Sequence, residues 1–300
     1  DEPPSTLPSS KKNNSNNNKA QEQVESALDT LMKTHKLDKS SEVLAMAAKR
    51  AFRRYNLRHA LQYCQELAAV DPLCQTAGFV YVSTLVALGH DRPLFRLAHE
   101  WVDAAPKSAR AWFAVGAYYY TCQRYHVAQR HFCRATRLDP HCAEAWIAFG
   151  TSFAACDESD QALASFRAAQ RLAPGDHTSL LYIGMEYLRT NHLVLAQHFL
   201  HAAQKSSNDP LCCNELGVLC MAQKNYKAAI DWFCKALQTN TTNISTTTNT
   251  TATVKTNQYE TNLDDLLDTT MDVYWEPTVF NLGQAFRKTR AFENAAKCLE

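Results

Sequence analysis

The chain has 300 residues, 46% of them hydrophobic, so it can bury a substantial core. Its 31 basic and 30 acidic residues leave a formal charge of +1, which excludes a chain-wide basic field for nucleic acid or an anionic membrane. The longest uncharged apolar-rich run, Ala77 to Gly89, is 13 residues, whereas a membrane span takes roughly 20. We therefore expect neither a nucleic-acid partner nor insertion in a membrane.

The first forty residues differ from the rest of the chain. Residues 1–19 are rich in Pro, Ser, Asn and Lys and have no apolar period, which is typical of disorder. Residues 20–36 place Val24, Leu28, Leu31 and Met32 on one helical face. We interpret residues 1–40 as a disordered tail followed by a helix that caps the structure behind it.

From residue 41 onwards the chain repeats itself at a fixed period. Four prolines stand 34 residues apart, at Pro72, Pro106, Pro140 and Pro174. Four glycines follow with spacings of 34, 34 and 33, at Gly116, Gly150, Gly184 and Gly217. A period of about 34 residues with this pattern is the signature of the tetratricopeptide repeat, a pair of antiparallel helices.

The pattern within each repeat explains how the two helices pack. We expect the small residues at positions eight and twenty to meet where the helices approach, and the large residues at positions four, seven, eleven and twenty-four to fill the space between repeats. The residues predicted to form this repeat core are Trp112, Gly116, Ala128, Phe132, Trp146, Gly150, Ala162, Phe166, Gly184, Ala196, Gly217, Ala229, Phe233 and Gly283.

One helix pair cannot bury its apolar face alone, so the repeats must stack. The predicted fold is all-α, a right-handed superhelical solenoid of tetratricopeptide repeats. Six repeats are predicted at 41–74, 75–108, 109–142, 143–176, 177–209 and 210–237, and residues 275–300 begin a seventh. Residues 238–274 are Thr/Asn-rich and then acidic, and we interpret them as an insertion, flexible in its Thr/Asn-rich part.

No motif for catalysis or cofactor binding occurs in the chain. The phosphate-binding, dinucleotide-binding, zinc-protease and nucleophile-elbow patterns are missing, and five of the eight glycines already serve helix packing. A loose group of His and Cys between His126 and Cys142 fits no metal-ligand spacing. We therefore expect a protein that is not an enzyme and holds no cofactor or metal.

The cysteines indicate the cellular compartment. The chain has 11 of them, an odd number, with no CxxC pair and no regular disulfide framework. A reducing compartment suits such a chain best, so we expect it in the nucleus and cytoplasm.

A binding surface is expected on the first helices of the repeats, which line the concave groove of such a solenoid. Positions two, five, nine, twelve and thirteen should be exposed there, and their residue types suit an extended or helical peptide. The predicted groove residues are Leu181, Met185, Arg189, Asn214, Val218, Met221, Phe280, Gln284 and Arg287. An alternative is that Leu181 and Met185 pack inside the solenoid.

Several strings outside the repeat consensus are more specific. They are Trp112-Phe-Ala-Val-Gly116, Ala145-Trp-Ile-Ala-Phe-Gly150, Leu181-Tyr-Ile-Gly-Met-Glu-Tyr187 and Trp275-Glu-Pro277 with Asn281-Leu-Gly283. The chain resembles subunit six of the anaphase-promoting complex, which has similar strings in the same order. The resemblance runs from about Ser40 to Glu300.

The resemblance implies a non-catalytic scaffold in a multisubunit ubiquitin ligase that controls mitotic progression, with ubiquitin transfer left to cullin and RING subunits. It implies as partners neighbouring tetratricopeptide subunits, a small stabilising subunit held in the groove, and a second copy bound through N-terminal repeats. The Thr/Asn-rich insertion is longer than the connection that the family leads us to expect.

Two other classes of tetratricopeptide protein are alternatives to a scaffold subunit, namely a co-chaperone and an enzyme. A co-chaperone would need a clamp of Lys and Asn over three consecutive repeats, and only Asn214, with the distant Arg287 and Lys288, resembles one. An enzyme with a tetratricopeptide arm would need a catalytic domain outside these residues.

Overall fold

The computed structural model describes residues 27–28, 30–31, 39–71, 75–207, 209–248 and 275–299. This part of the chain holds fourteen named helices and no strand, so the predicted all-α fold is confirmed. In chain order the helices are α1 Ser41–Arg53, α2 Leu57–Val70, α3 Gln75–Ala87, α4 Asp91–Ala104, α5 Ala109–Thr121, α6 Tyr125–Leu138, α7 Ala143–Ala154, α8 Ser159–Leu172, α9 His177–Arg189, α10 Leu193–Ser206, α11 Pro210–Ala222, α12 Tyr226–Thr248, α13 Glu276–Lys288 and α14 Phe292–Leu299.

The helices form seven consecutive pairs, and in repeats three to six the close approach within a pair depends on the glycine at position eight. A Cβ added at Gly116 would lie 2.7 Å from Phe132 Cδ1, and one at Gly150 would lie 2.5 Å from Phe166 Cε1. Real Cβ atoms do not come so near other atoms, so only glycine fits. The large residue at position twenty-four therefore packs on the glycine of its own repeat, and not only between repeats as we expected.

The same contact recurs in the next two repeats. A Cβ at Gly184 would lie 2.7 Å from Leu200 Cδ2, and one at Gly217 would lie 2.5 Å from Phe233 Cε1. The alanines predicted at position twenty are fully buried alongside, at Ala128, Ala162, Ala196 and Ala229. Gly283 is buried in α13.

The tryptophans at position four have a different role from the one predicted. Trp112 and Trp146 are only half-buried, so they do not fill the inter-repeat core as Phe132 and Phe166 do. Each indole N–H donates to the carbonyl of the proline that ends the previous repeat, at 2.7 Å from Trp112 to Pro106 and 3.0 Å from Trp146 to Pro140. These tryptophans therefore tie one repeat to the next by a hydrogen bond at the surface.

Two predicted boundary segments lie partly within the described residues. Leu28, from the predicted capping helix, is 3% exposed and packs on Val43 and Ala47 of α1. The predicted disordered tail 1–19 lies outside the described residues. So does 249–274, most of the predicted insertion.

The expectation of a flexible insertion beginning at residue 238 is wrong for its first part. Helix α12 continues to Thr248, eleven residues beyond the predicted end of the sixth repeat. Pro140 and Pro174 stand just after α6 and α8 and prevent those helices from continuing. No proline or glycine occurs between Tyr226 and Thr248, so α12 has no such stop signal.

The first repeat meets the sixth and seventh across one turn of the superhelix. Tyr55, in the turn after α1, donates its hydroxyl to Asp209 Oδ1 at 2.9 Å, and its ring lies edge-on to Trp275 with centroids 5.3 Å apart. Asp209 caps α11 and also contacts His177 Nε2 at 2.7 Å through its other oxygen. Tyr55, in the turn between α1 and α2, thus connects the first repeat to repeats that are far from it in the sequence.

The turn between the helices of a repeat adopts the left-handed backbone conformation in every pair. The residue concerned has a φ between 59° and 67° and is a glycine in only one repeat. These residues are Tyr55, Gly89, Gln123, Asp157, Asn191, Lys224 and Arg290. For a residue with a side chain this conformation costs roughly 1–2 kcal/mol.

Replacing one such residue by glycine should therefore stabilise the solenoid. We expect Lys224→Gly to raise the free energy of unfolding by about 0.5–1 kcal/mol, because Lys224 is exposed and has a φ of 62°. Gly89→Ala is the matched control and should lower it by about 1 kcal/mol, since a Cβ there meets no atom within 4 Å and only the backbone is strained. Urea unfolding followed by circular dichroism measures both. Equal effects of the two substitutions would contradict this account of the turn.

Candidate peptide-binding groove

The first helices of the pairs form the inner layer of the solenoid. Each of α1, α3, α5, α7, α9 and α11 contacts the next first helix along the chain. The second helices stand outside this layer and pack on the first helices of their own and the following pair. The inner layer therefore presents one continuous concave groove.

The nine predicted groove residues divide into three groups by exposure. Arg189, Phe280 and Arg287 are exposed. Met185, Val218, Met221 and Gln284 are half-buried. Leu181 and Asn214 are buried, with 2% and 8% of their surface exposed. The exposure expected at position five is therefore wrong for two of the three repeats in which it was predicted.

Leu181 belongs to the core of the fifth and sixth repeats. It lies in one cluster with Leu200 of α10 and with Cys212 and Leu216 of α11. Position five points at the next repeat wherever a next repeat is stacked on it, so a large apolar residue there is covered. Met185 packs on the same cluster but keeps part of its surface open to the groove.

Arg189 is held by carboxylates of its own protein. Its Nη2 donates to Glu186 Oε1 at 2.6 Å and to Ser159 Oγ at 2.8 Å, and Nη1 pairs with Asp157. Glu186 is 3% exposed, so the arginine neutralises a buried charge. The hydrogen bond from Arg189 to Glu186 raises the pKa of the arginine. Arg189 therefore joins the fourth repeat to the fifth, and its guanidinium is occupied by partners within this chain although Arg189 was predicted to contact a bound peptide.

Asn214 has a buried side-chain oxygen, Oδ1, that accepts no hydrogen bond from the described residues. Its amide nitrogen donates to Glu215 Oε1 at 3.0 Å. A buried acceptor without a donor costs about 1–3 kcal/mol, and a ligand N–H group recovers that free energy when the side chains that cover the acceptor move aside. A peptide backbone supplies such a group at almost every residue.

Next to it, the half-buried carboxyl group of Glu215 forms no salt bridge with a basic residue among those that the structure describes. Burial raises the pKa of Glu215 to about 7, and the hydrogen bond from Asn214 offsets this only in part. The group therefore titrates near neutral pH, where most carboxyl groups are fully charged.

Apolar side chains flank this polar pair. Val218 and Met221 of α11 pack against the cluster that contains Phe233, Trp275 and Phe286, and each leaves part of its surface open. Phe280 is at position five of the seventh repeat and is 53% exposed on α13, where no described repeat is stacked on it. Gln284 beside it is half-buried. An apolar surface with a few buried polar atoms is typical of a groove that binds a peptide.

The histidines and cysteines singled out in the sequence do not assemble into a site. Within the described ranges no group of three or more His, Cys, Asp or Glu residues is placed to hold a metal ion. His131 instead stacks between the rings of Trp112 and Tyr119, with centroids 5.7 and 5.3 Å away. Burial, helped by Arg134 and Arg130, lowers the pKa of His131. Among the same residues, no helix has the length and hydropathy that crossing a bilayer requires.

Comparison with known proteins now identifies the class. The tetratricopeptide repeat family matches residues 109–142 and 212–243. Together with the stacked helix pairs, this confirms that the fold is a tetratricopeptide-repeat solenoid.

The resemblance to subunit six of the anaphase-promoting complex is also confirmed. Over 80% of its length the chain is 37% identical to anaphase-promoting complex subunit 6 of Arabidopsis thaliana, and over 86% it is 31% identical to the human cell division cycle protein 16 homolog. Among solved structures it is similar to Cut9 in the APC/C hetero-tetramer Cut9–Hcn1, with a TM-score of 0.76 and 28% identity over 92% of this chain.

The chain corresponds to part of these proteins. It spans 40% of the Arabidopsis relative, 38% of the human one and 48% of the solved Cut9 chain.

The pKa of Glu215 leads to a prediction about stability. Because the folded-state pKa of about 7 lies above the ordinary value of 4.5, ionising this carboxyl opposes folding. The folded state therefore loses free energy of unfolding as pH rises from about 4.5 to 7, because the unfolded chain ionises Glu215 at a lower pH than the folded chain does. We expect Glu215→Gln to be more stable than the wild type by about 1–3 kcal/mol at pH 8, and nearly equal to it at pH 4.

Urea unfolding at several pH values measures this difference between the variant and the wild type. Glu66→Gln, on the exposed face of α2, is the matched control and should show no such trend. A difference between Glu215→Gln and the wild type that stays constant from pH 4 to pH 8 would mean that Glu215 is hydrated in the folded chain.

Proposed function

We propose that the chain is a segment of a non-catalytic scaffold subunit of the anaphase-promoting complex, a cullin–RING-type ubiquitin ligase that controls mitotic progression. The observation that supports this most is the similarity to subunit-six proteins over most of the chain, in plants and animals alike. The described first helices supply a continuous surface for binding. Ubiquitin transfer then belongs to the cullin and RING subunits.

In this proposal the groove holds an extended segment of a small stabilising subunit. Side chains that cover Asn214 Oδ1 move aside, and this atom accepts a backbone N–H of that segment, because it receives no hydrogen bond from the described residues. Met185, Val218 and Met221 provide the apolar contacts on either side. The solved Cut9 is described in a complex with Hcn1, which supports such a partner for this chain.

The contact of Tyr55 with Asp209 and Trp275 supports the same proposal. It connects the first repeat to the sixth and seventh, so the groove is bounded along one full turn of the superhelix. A bounded groove restrains an extended segment before the partner binds, which reduces the entropy lost on association.

The remaining partners in the proposal are neighbouring tetratricopeptide subunits and a second copy of the protein, bound through repeats that this chain does not include. Neither nucleic acid nor a membrane is a partner. The location that we propose is the nucleus and cytoplasm.

A co-chaperone is disfavoured by the structure of the groove. A carboxylate clamp needs free basic side chains, whereas Arg189 is occupied by Glu186 and Asp157. Glu215 adds an acidic group at the place where a peptide carboxylate would have to bind, beside Asn214.

The experiment is affinity purification of the full-length protein from dividing cells, with mass spectrometry and a cyclin-ubiquitination assay of the eluate. We expect cullin, RING and other tetratricopeptide subunits together with ligase activity. Asn214→Leu should lower recovery of a small subunit by about 3- to 10-fold, which corresponds to one hydrogen bond, and leave the large subunits in place.

Gln197→Leu, an exposed amide on the outer helix α10, is the matched control and should recover every subunit. Recovery of chaperones without ligase activity would overturn the scaffold proposal. Unchanged recovery of the small subunit with Asn214→Leu would overturn only the role of the groove.

A further inference from the structure

Exposed basic side chains recur at one position of the outer helices in the third, fourth and fifth repeats. Position twenty-nine of these repeats is Arg137, Arg171 and Lys205, each in the last turn of its helix, α6, α8 or α10. All three are exposed. None of them forms a hydrogen bond or an ion pair with a residue that the structure describes. Their charges are therefore available to a partner.

The stacking of the repeats places these three positions in a row. Repeats three to six share the contact on the glycine at position eight and so have the same helix spacing, which brings equivalent positions into line along the solenoid. Neighbouring first helices contact each other, so one repeat advances the row by about 8–10 Å. An extended chain covers that distance with about three residues.

Acidic groups on the same helices do not cancel the charge of the row. Three arginines lie in α6, two in α8 and Lys205 in α10, whereas Asp160 is the one acidic residue of these three helices. Asp160 lies in the first turn of α8, at the opposite end from Arg171. Asp139 and Asp176, which follow α6 and α8, each accept a hydrogen bond from the residue two positions further on. The last turns of the three outer helices thus present positive charge.

Apolar side chains stand beside the bases. Position thirty is Leu138 in the third repeat and Leu172 in the fourth, and these side chains are 42% and 37% exposed. The half-buried ring of Trp146 lies close by, since its indole N–H donates to the carbonyl of Pro140, two residues after Leu138. Bases and leucines in the same register suit a protein segment with acidic and apolar residues better than a nucleic-acid backbone, which offers phosphate charges alone.

We propose that this outer row, formed by Arg137, Leu138, Arg171, Leu172 and Lys205, is a docking surface for an extended acidic segment of a partner protein. Carboxylates three residues apart in the segment pair with the three bases, and apolar residues between them pack on the two leucines. The outer row lies on the second helices, whereas the first helices form the proposed groove, so the two sites are independent.

The other repeats limit the length of the segment. Position twenty-nine is Ala69, Asp103 and Gln238 in the first, second and sixth repeats, so the row of bases is confined to three repeats. The segment that fits therefore has about seven residues, with carboxylates at the first, fourth and seventh.

Short peptides test the proposal directly. The probe is the fluorescein-labelled peptide Asp-Leu-Gly-Asp-Leu-Gly-Asp, and the comparison peptides replace every Asp by Asn or every Leu by Ser. Fluorescence anisotropy with the 300-residue chain at low ionic strength should give a dissociation constant for the probe at least about 5-fold lower than for the Asn peptide and about 3-fold lower than for the Ser peptide. Absence of saturable binding, or binding of either comparison peptide equal to that of the probe, would overturn the proposal.

Variants then assign the binding to the outer row. The triple variant Arg137→Gln, Arg171→Gln, Lys205→Gln should weaken the probe at least about 5-fold, because it removes all three charges. The double variant Leu138→Ser, Leu172→Ser should weaken it about 3-fold. If circular dichroism shows that the triple variant does not fold, Arg171→Gln alone, in the middle of the row, should weaken the probe about 2-fold.

The matched control removes the same charge from exposed bases outside the row. The triple variant Arg92→Gln, Arg124→Gln, Lys227→Gln should change the dissociation constant by less than about 2-fold. Equal weakening by both triple variants would show that the probe responds only to net charge, and would overturn the assignment to the row.

A nucleic-acid competitor distinguishes the class of partner. The thymidine tetranucleotide carries three phosphates, the same number of charges as the carboxylates of the probe side chains. We expect it to displace the probe only at a concentration well above that of the unlabelled acidic peptide, because it offers nothing to the leucines. Displacement at an equal or lower concentration would assign the row to nucleic acid and overturn the proposal.

Discussion

The contact between a glycine and a ring or leucine within the helix pairs of repeats three to six determines the geometry of the central solenoid. Where Gly150 meets Phe166, the backbone of one helix touches the side chain of the other, and a single added carbon would come within 2.5 Å of the ring. The contact recurs in four consecutive repeats, so each pair has the same spacing and the next pair stacks on it in the same way. The first repeat has Ala48 and Cys64 at these positions and its helices still pack closely, whereas the helices of the second repeat, with Val82 and Ala98, lie further apart.

The groove is a consequence of the same stacking. Because first helices pack on first helices, their remaining surface becomes one concave face, and polar residues at its base are buried by their neighbours. Asn214 is such a residue, and its Oδ1 accepts no hydrogen bond from the described residues. The half-buried Glu215 beside it has a pKa that burial raises to about 7. The fold tolerates both at a cost in stability, which is common where a protein binds a partner.

The period of 34 residues was enough to predict the helices, their pairing and most of the buried core from the sequence. It does not predict which side of a helix a neighbouring repeat covers, so the sequence leaves Leu181 open between groove and core, and it places the half-buried Trp146 in the core. The contact of Tyr55 with Asp209 depends on the curvature of the whole superhelix, and no local spacing records it. The length of α12 shows that an insertion of Thr and Asn without Pro or Gly can continue a helix.

A double-mutant cycle on Gly150 and Phe166 tests the central claim most directly, with free energies of unfolding measured in urea. We expect Gly150→Ala to destabilise the wild type by about 1–3 kcal/mol, because the new methyl group meets the ring. In a Phe166→Ala background the same change should stabilise by up to about 1 kcal/mol, the helix propensity of alanine over glycine. Effects that add within about 0.5 kcal/mol would contradict the claim, since the two residues would then not be coupled.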